Sequence, residues 1–146
     1  MIALLQRVAG ARVEVRGSVV GSIDAGLLVL VCAEPADTPG IGRRLVEKMI
    51  KLRVFADDGG KMNRSLQDTG GGLLIVSQFT LAADTSSGNR PGFGGAAPAA
   101  LGRALYDDLL RCARQLHPVV EAGEFGADMQ VHLINDGPVT IPITLR

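Results

Sequence analysis

Apolar and charged residues alternate from Ala11 to Arg16, and a period of two marks a strand with one face buried. Gly17 and Gly21 punctuate the next stretch. Leu27–Val31 is apolar throughout, which predicts a strand covered on both faces. Thr38-Pro39 then supplies an N-cap and a proline at the first helical position. Behind it Ile41, Leu45, Val46, Met49 and Leu52 keep an i, i+4 rhythm, with Arg44, Glu47 and Lys48 on the other face. That pattern predicts an amphipathic helix. Arg53–Ala56 predicts a short strand and Asp57-Asp-Gly-Gly60 a turn.

Gly70-Gly-Gly72 opens a second apolar strand over Leu73–Phe79. Residues 85–97, rich in Ser, Gly and Asn, form the one long loop, and such loops in small domains often carry function. From Pro98 a second helix is predicted, with Leu101, Leu105, Leu109, Cys112 and Leu116 lining one face and His117-Pro118 ending it. Met129, Val131 and Leu133 alternate with Gln130, His132 and Ile134, and a second alternation covers Val139–Leu145. Pro142 predicts an edge position or a bulge there, because proline donates nothing to a ladder. Many strands and two principal helices, out of strict βαβ order, predict an α+β fold with a mainly antiparallel sheet.

The length, 146 residues, predicts a single domain over 1–146. Hydrophobic residues at 47% and charged ones at 21% exclude a disordered chain. Fifteen basic against fifteen acidic side chains exclude a polycation, though a local patch can still meet nucleic acid. The longest apolar run, Leu27–Ala33, is seven residues, against the roughly 20 that cross a bilayer. With Arg7 following so closely on Met1, no signal peptide is expected. Cys32 and Cys112 stand apart, as two buried thiols in a reducing cytoplasm would.

Few residues offer recognisable chemistry. His117, at a helix end, and His132, on a strand, match no zinc spacing, so no metal is expected and both are taken as surface or structural. There is no Gly-x-Ser-x-Gly elbow. Gly92-Phe-Gly-Gly-Ala-Ala97 imitates a dinucleotide fingerprint. It lacks the strand before it and the acidic residue after it, so it is read as turns, like Gly70–Gly72. Two segments remain. Ser77-Gln-Phe-Thr-Leu-Ala-Ala-Asp84 crowds polar side chains onto a strand end, which local backbone bonding could equally explain. Asn135-Asp-Gly-Pro-Val-Thr140 has the composition of a tight turn between two strands, a plain hairpin on physical grounds alone.

These two segments resemble the signature motifs of the D-aminoacyl-tRNA deacylase family. The likeness extends to Gln6-Arg-Val8, Gly60-Lys-Met-Asn63, Arg90-Pro91 with Phe93, and Phe125-Gly-Ala-Asp-Met129. The resemblance implies a homodimer with a barrel-like antiparallel fold, needing no cofactor or metal, in the cytoplasm that the isolated cysteines and the missing signal peptide already predict. It implies hydrolysis of the ester between a D-amino acid, or glycine, and the 3′-terminal adenosine of tRNA. Ser77, Gln78, Phe79 and Thr80 would form the pocket wall, and Phe125 and Met129 would hold the adenosine. Gly137-Pro138 would be a cis dipeptide inserted into the partner's pocket to exclude L-amino acids, with Arg7 fixing its orientation. Ala82 stands where many relatives carry an aromatic residue, and Ser86–Asn89 is less basic than usual.

The resemblance suits a chain with no evident base. A terminal ribose brings its own 2′-hydroxyl to the ester at high effective concentration. The protein then positions the ester and stabilises developing charge with backbone N–H groups. Two rival readings are Thr80 as a nucleophile and a non-catalytic RNA-binding module, the latter disfavoured by the absence of a basic stripe and clustered aromatics.

Overall fold

The apolar run around Leu27–Ala33 is buried because both of its faces are covered. In the computed structural model, which describes residues 1–146, it forms strand β3 (Gly26–Cys32) beside β6 (Gly72–Ser77). Leu27, Val29, Val31, Leu73 and Ile75 point toward the helices, whereas Leu28, Leu74 and Val76 point into a second core on the opposite face. Two faces of apolar packing remove the alternation that a half-exposed strand would show.

Around this pair run β1 (Ile2–Val15), β2 (Ser18–Ile23), the two-residue β4 (Phe55–Ala56), β5 (Met62–Arg64), β7 (Val120–Ala122) and β8 (Gln130–Thr144). The main sheet has the order β2-β1-β3-β6-β7, with β8 on the other side of β1. β1 pairs antiparallel with β2, β3 and β8, while β3, β6 and β7 are mutually parallel neighbours. The second half of β1 carries β2 across toward β7. A Cβ on Gly21 would stand 2.5 Å from the Ala122 carbonyl oxygen, so the sheet nearly closes into a barrel there. The result is an α+β fold with a barrel-like sheet.

Helix α1 (Pro39–Lys51) starts as the sequence predicts: the Thr38 hydroxyl accepts from the Ile41 N–H at 3.4 Å and Pro39 opens the first turn. Such a cap is worth about 1 kcal/mol. A short helix α2 (Leu66–Thr69) is closed by a reciprocal pair between Ser65 and Asp68, with Gly70 in the left-handed region. Helix α3 (Ala99–Leu116) buries Leu105, Tyr106, Leu109, Leu110 and Ala113. Its apolar face is therefore rotated from the predicted one: Leu101 is 37% exposed and Cys112 only half-buried. The i, i+4 series from Leu101 drifts off the buried stripe, because Gly102 and Tyr106 turn toward the core instead.

Three predicted boundaries also move. The first strand extends back to Ile2, because its first half is buried between β3 and β8. The second apolar strand stops at Ser77, and a 3-10 turn, Phe79–Ala82, replaces its expected end. The strand expected at Arg53–Ala56 is reduced to Phe55–Ala56.

The expected hairpin at Asn135–Thr140 is absent, since β8 does not reverse. It pairs with β1 before and after the segment, with Val8 opposite Asn135 and Gln6 opposite Thr140. One residue of β1, Arg7, thus spans four of β8, and residues 136–139 leave the ladder as a wide bulge. Beyond it Pro142 faces Leu4 on a strand with no further neighbour, the edge position its missing N–H requires.

Candidate functional site

Parallel strands deliver their C-terminal ends to one edge of a sheet. Here β3, β6 and β7 end together, and each meets at that end a segment singled out in the sequence. β6 runs into Ser77–Thr80, β7 into the loop carrying Phe125 and Met129, and the end of β3 receives the long loop through a bond from the Ala97 N–H to the Ala33 carbonyl at 2.8 Å. In sheets of this kind the carboxyl ends are the usual place for a ligand.

Ser77 and Gln78 are partly buried, and the Gln78 N–H donates to the Val31 carbonyl at 2.8 Å. The 3-10 turn then lifts Phe79 and Thr80 into the open, with Phe79 56% exposed. The Gln78 side-chain amide donates to the Thr80 hydroxyl oxygen at 2.6 Å. Phe79 meets Phe93 of the long loop edge to face, with ring centroids 5.1 Å apart. That loop is closed by reciprocal backbone bonds between Asp84 and Gly92. The Asp84 carboxylate also accepts from the Ser86 N–H at 2.9 Å, and this interaction with Ser86 holds its pKa below the usual carboxylate value. Beneath the turn, the Cys32 thiol donates toward the Ala33 and Phe79 carbonyls. Burial, reinforced by the Glu34 charge, raises the thiol's pKa.

Phe125 and Met129 belong to this edge but face different cores. Phe125 leans on Tyr106 with centroids 5.9 Å apart and lies under the Arg103 guanidinium at 4.7 Å. Met129 packs against the second core and closely covers Gly123, where a Cβ would stand 2.8 Å from its sulfur.

Arg7 lies elsewhere. Its Nε donates to the Asp136 carbonyl at 2.8 Å and its Nη1 to the Val54 carbonyl at 2.7 Å. One side chain thereby ties the bulge to the strand-poor stretch after α1. The Gly137–Pro138 peptide bond in that bulge is cis, and both residues are exposed.

The two groups of residues are not neighbours within one chain. Ser77, Val31, Ala3 and Ile143 lie abreast across four strands, and Arg7 is four residues further along β1. At ~3.3 Å per residue and ~4.8 Å per strand, the bulge stands roughly 19 Å along the sheet from Ser77. It sits toward the N-terminal ends of β3 and β6, opposite the edge that holds the wall. No hydrogen bond joins residues 77–80 to residues 136–139.

The histidines take structural positions. His117 is 3% exposed and caps α3, with its Nε2 2.7 Å from the Gly71 carbonyl. His132 lies on the far half of β8 between Arg12 and Glu14. Gly92 and Gly94–Ala96 lie in the closing bridge and turn of the long loop. Sequence reading missed the contacts of Cys32, the reach of Arg7 to Val54 and the side-chain bonds of Asn135. Of these, only Asn135 carried a local signal, since asparagine at the head of a turn-like Asn-Asp-Gly-Pro segment bonds readily to nearby backbone.

A family model for D-Tyr-tRNA(Tyr) deacylase matches residues 4–144. The chain is 69% identical over 145 residues to a D-aminoacyl-tRNA deacylase from Methylibium petroleiphilum, covering 99% of this chain and 95% of that one. It is 66% identical over 140 residues to a D-aminoacyl-tRNA deacylase from Pseudomonas fluorescens, covering 96% and 97%. Among solved structures, c-Myc DNA Unwinding Element Binding Protein superposes with a TM-score of 0.95 at 38% identity, covering 100% and 99% of the two chains. A protein described as a probable eukaryotic D-amino acid tRNA deacylase shares the fold, with a TM-score of 0.86 at 18% identity and 97% of each chain covered.

Proposed function

The chain belongs to the D-Tyr-tRNA(Tyr) deacylase family and is a hydrolase acting on ester bonds; on that premise we propose that it cleaves the ester joining a D-amino acid, or glycine, to the 3′-terminal adenosine of tRNA, in the cytoplasm and as a homodimer. Ser77, Gln78, Phe79 and Thr80 line the substrate, while Phe125 and Met129 take the adenosine. The Gly137-Pro138 bulge of the second protomer enters the pocket where an L side chain would project.

The observation that carries this reading is the separation of the bulge from the wall. The two motifs lie about 19 Å apart along one sheet, so a pocket using both must draw them from two chains. Rejection by a rigid backbone feature excludes every L residue alike, without a pocket for each side chain. Glycine at 137 suits such a feature, because a Cβ there would stand 2.5 Å from the Val139 nitrogen and push the bulge out of shape. Glycyl esters, having no side chain to reject, pass as D esters do.

Catalysis then rests on the substrate. The Thr80 hydroxyl receives a hydrogen bond from the Gln78 amide, and an amide is no general base, so nothing at the wall activates Thr80 as a nucleophile. The terminal 2′-hydroxyl is already beside the ester, and the exposed turn after Ser77 offers polar groups for the developing oxyanion. An electrically neutral chain suffices if it grips mainly the tRNA end, with few phosphate contacts.

The test is deacylation of one tRNA charged with D-Tyr, L-Tyr or glycine, with light scattering of the same sample. The expected result is loss of the D-Tyr and glycyl esters, survival of the L-Tyr ester, and a mass about twice 15.2 kDa. A stable, active monomer removes the cross-subunit pocket, and equal cleavage of both tyrosyl esters removes the rejection.

A further inference from the structure

The bulge at residues 136–139 is held at its neck by the side chain of Asn135. This residue is the last of β8 in register before the bulge, and Thr140 is the first after it. The Asn135 side-chain oxygen accepts from the Val139 N–H at 3.1 Å, and its amide nitrogen donates to the Val139 carbonyl at 3.1 Å. A single primary amide thus satisfies both polar groups of one peptide residue, as an opposing strand would do. The same nitrogen reaches the Thr140 hydroxyl oxygen at 3.4 Å, which also accepts from the Gln6 amide at 3.3 Å.

From the other side Arg7 holds the Asp136 carbonyl. Gly137 and Pro138 are therefore the two residues left between a hold on Asp136 and a hold on Val139. The neck is tight: a Cβ on Gly137 would lie 2.5 Å from the Val139 nitrogen that Asn135 binds, and 2.8 Å from the Val139 Cγ2.

We infer that Asn135 is a positioning residue for stereochemical discrimination, clasping Val139 so that Gly137-Pro138 projects from the sheet at one fixed height. Asparagine is matched to this task because it presents one acceptor and one donor at the spacing of a peptide's N–H and C=O. Aspartate of the same size accepts only, and its charge would face the Val139 carbonyl. Alanine offers neither bond and leaves two backbone groups at the neck to find other partners. A backbone barrier excludes a side chain only while it is held still, and a shift of about 1 Å at a reacting site can be decisive. Loss of the clasp should therefore appear in discrimination before it appears in turnover.

The inference rests on the proposed rejection of L-amino acids by this bulge, so its experiment tests the two separately. Asn135→Ala, Asn135→Asp and Pro138→Ala are each assayed for cleavage of D-Tyr-tRNA and L-Tyr-tRNA, with thermal melting to confirm a folded chain. The expected result is that both Asn135 variants keep D-Tyr cleavage within about threefold of the parent while the D-to-L ratio falls at least tenfold. Pro138→Ala should lower the ratio as well. If Pro138→Ala lowers the ratio and neither Asn135 variant does, the clasp is overturned and the rejecting bulge stands. If none of the three moves it, the rejecting bulge itself fails. Equal losses on both esters would make Asn135 a merely structural residue and also overturn the inference. Should Asn135→Ala not fold, Asn135→Asp, which preserves shape, decides alone.

Discussion

The hydroxyl of Tyr106 on α3 donates to the carbonyl of Ile75 on β6 at 2.9 Å, two residues before Ser77. The same carbonyl accepts from the Gly123 N–H at 3.0 Å, so one atom ties the helix layer to the strand end and to the loop carrying Phe125. Burial pushes the Tyr106 pKa up to about 12, with the charge of Asp107 adding to it and that of Arg114 opposing it.

Tyr106 is the only tyrosine and there is no tryptophan, so its ionisation can be read directly from tyrosinate absorbance. The folded protein should titrate well above the ordinary value of 10, and the unfolded chain near it. Because the folded pKa is the higher, the neutral hydroxyl's contribution to stability is complete below pH ~10 and is lost as pH rises toward ~12. Tyr106→Phe should cost about 1 kcal/mol at neutral pH and flatten this alkaline slope. A native midpoint at the ordinary value would contradict the buried bond.

Thr80→Ala should retain substantial deacylation of D-Tyr-tRNA, because the hydroxyl it removes is held by Gln78 with no base beside it. A tRNA ending in 2′-deoxyadenosine should in contrast be cleaved at least about a hundredfold more slowly, a loss in the range of general-base or positioning effects. Trapping of an acyl group on Thr80 would reverse this assignment.

Gly26→Ala should cost more than about 3 kcal/mol in urea unfolding, at or beyond the upper end of ordinary overpacking. The added Cβ would stand 1.9 Å from the Gly72 carbonyl oxygen, and neither backbone strand can retreat from the other. Gly40→Ala, in the first turn of α1, meets only the Thr38 hydroxyl at 3.7 Å and should stabilise by up to about 1 kcal/mol.

His117→Leu should lower stability by about 1–3 kcal/mol, the range for leaving a polar group such as the Gly71 carbonyl without its partner. Its rate per folded molecule should be unchanged, since His117 lies at the end of α3 away from Ser77–Thr80. A lost rate with intact folding would show that a histidine base had been overlooked.

What the chain determined on its own was local. Periodicity located the buried strands around Leu27 and Leu73, and the Thr38-Pro39 cap located α1, because these depend on residues within a few positions of one another. The resemblance rested on Ser77–Asp84 and Asn135–Thr140 as strings of residues, and the family followed from them. The tertiary structure decided what those strings are. Asn-Asp-Gly-Pro is compatible with a hairpin in any isolated segment, and only pairing of both its flanks with β1 turned it into a bulge opposite Arg7. The face of α3 likewise followed from what it packs on, since Tyr106 has a carbonyl to meet on β6 and Leu101 meets nothing comparable. The gathering of Ser77, Phe125 and the long loop at one edge came from the parallel order β3-β6-β7, a non-local pairing that no stretch of sequence encodes by itself.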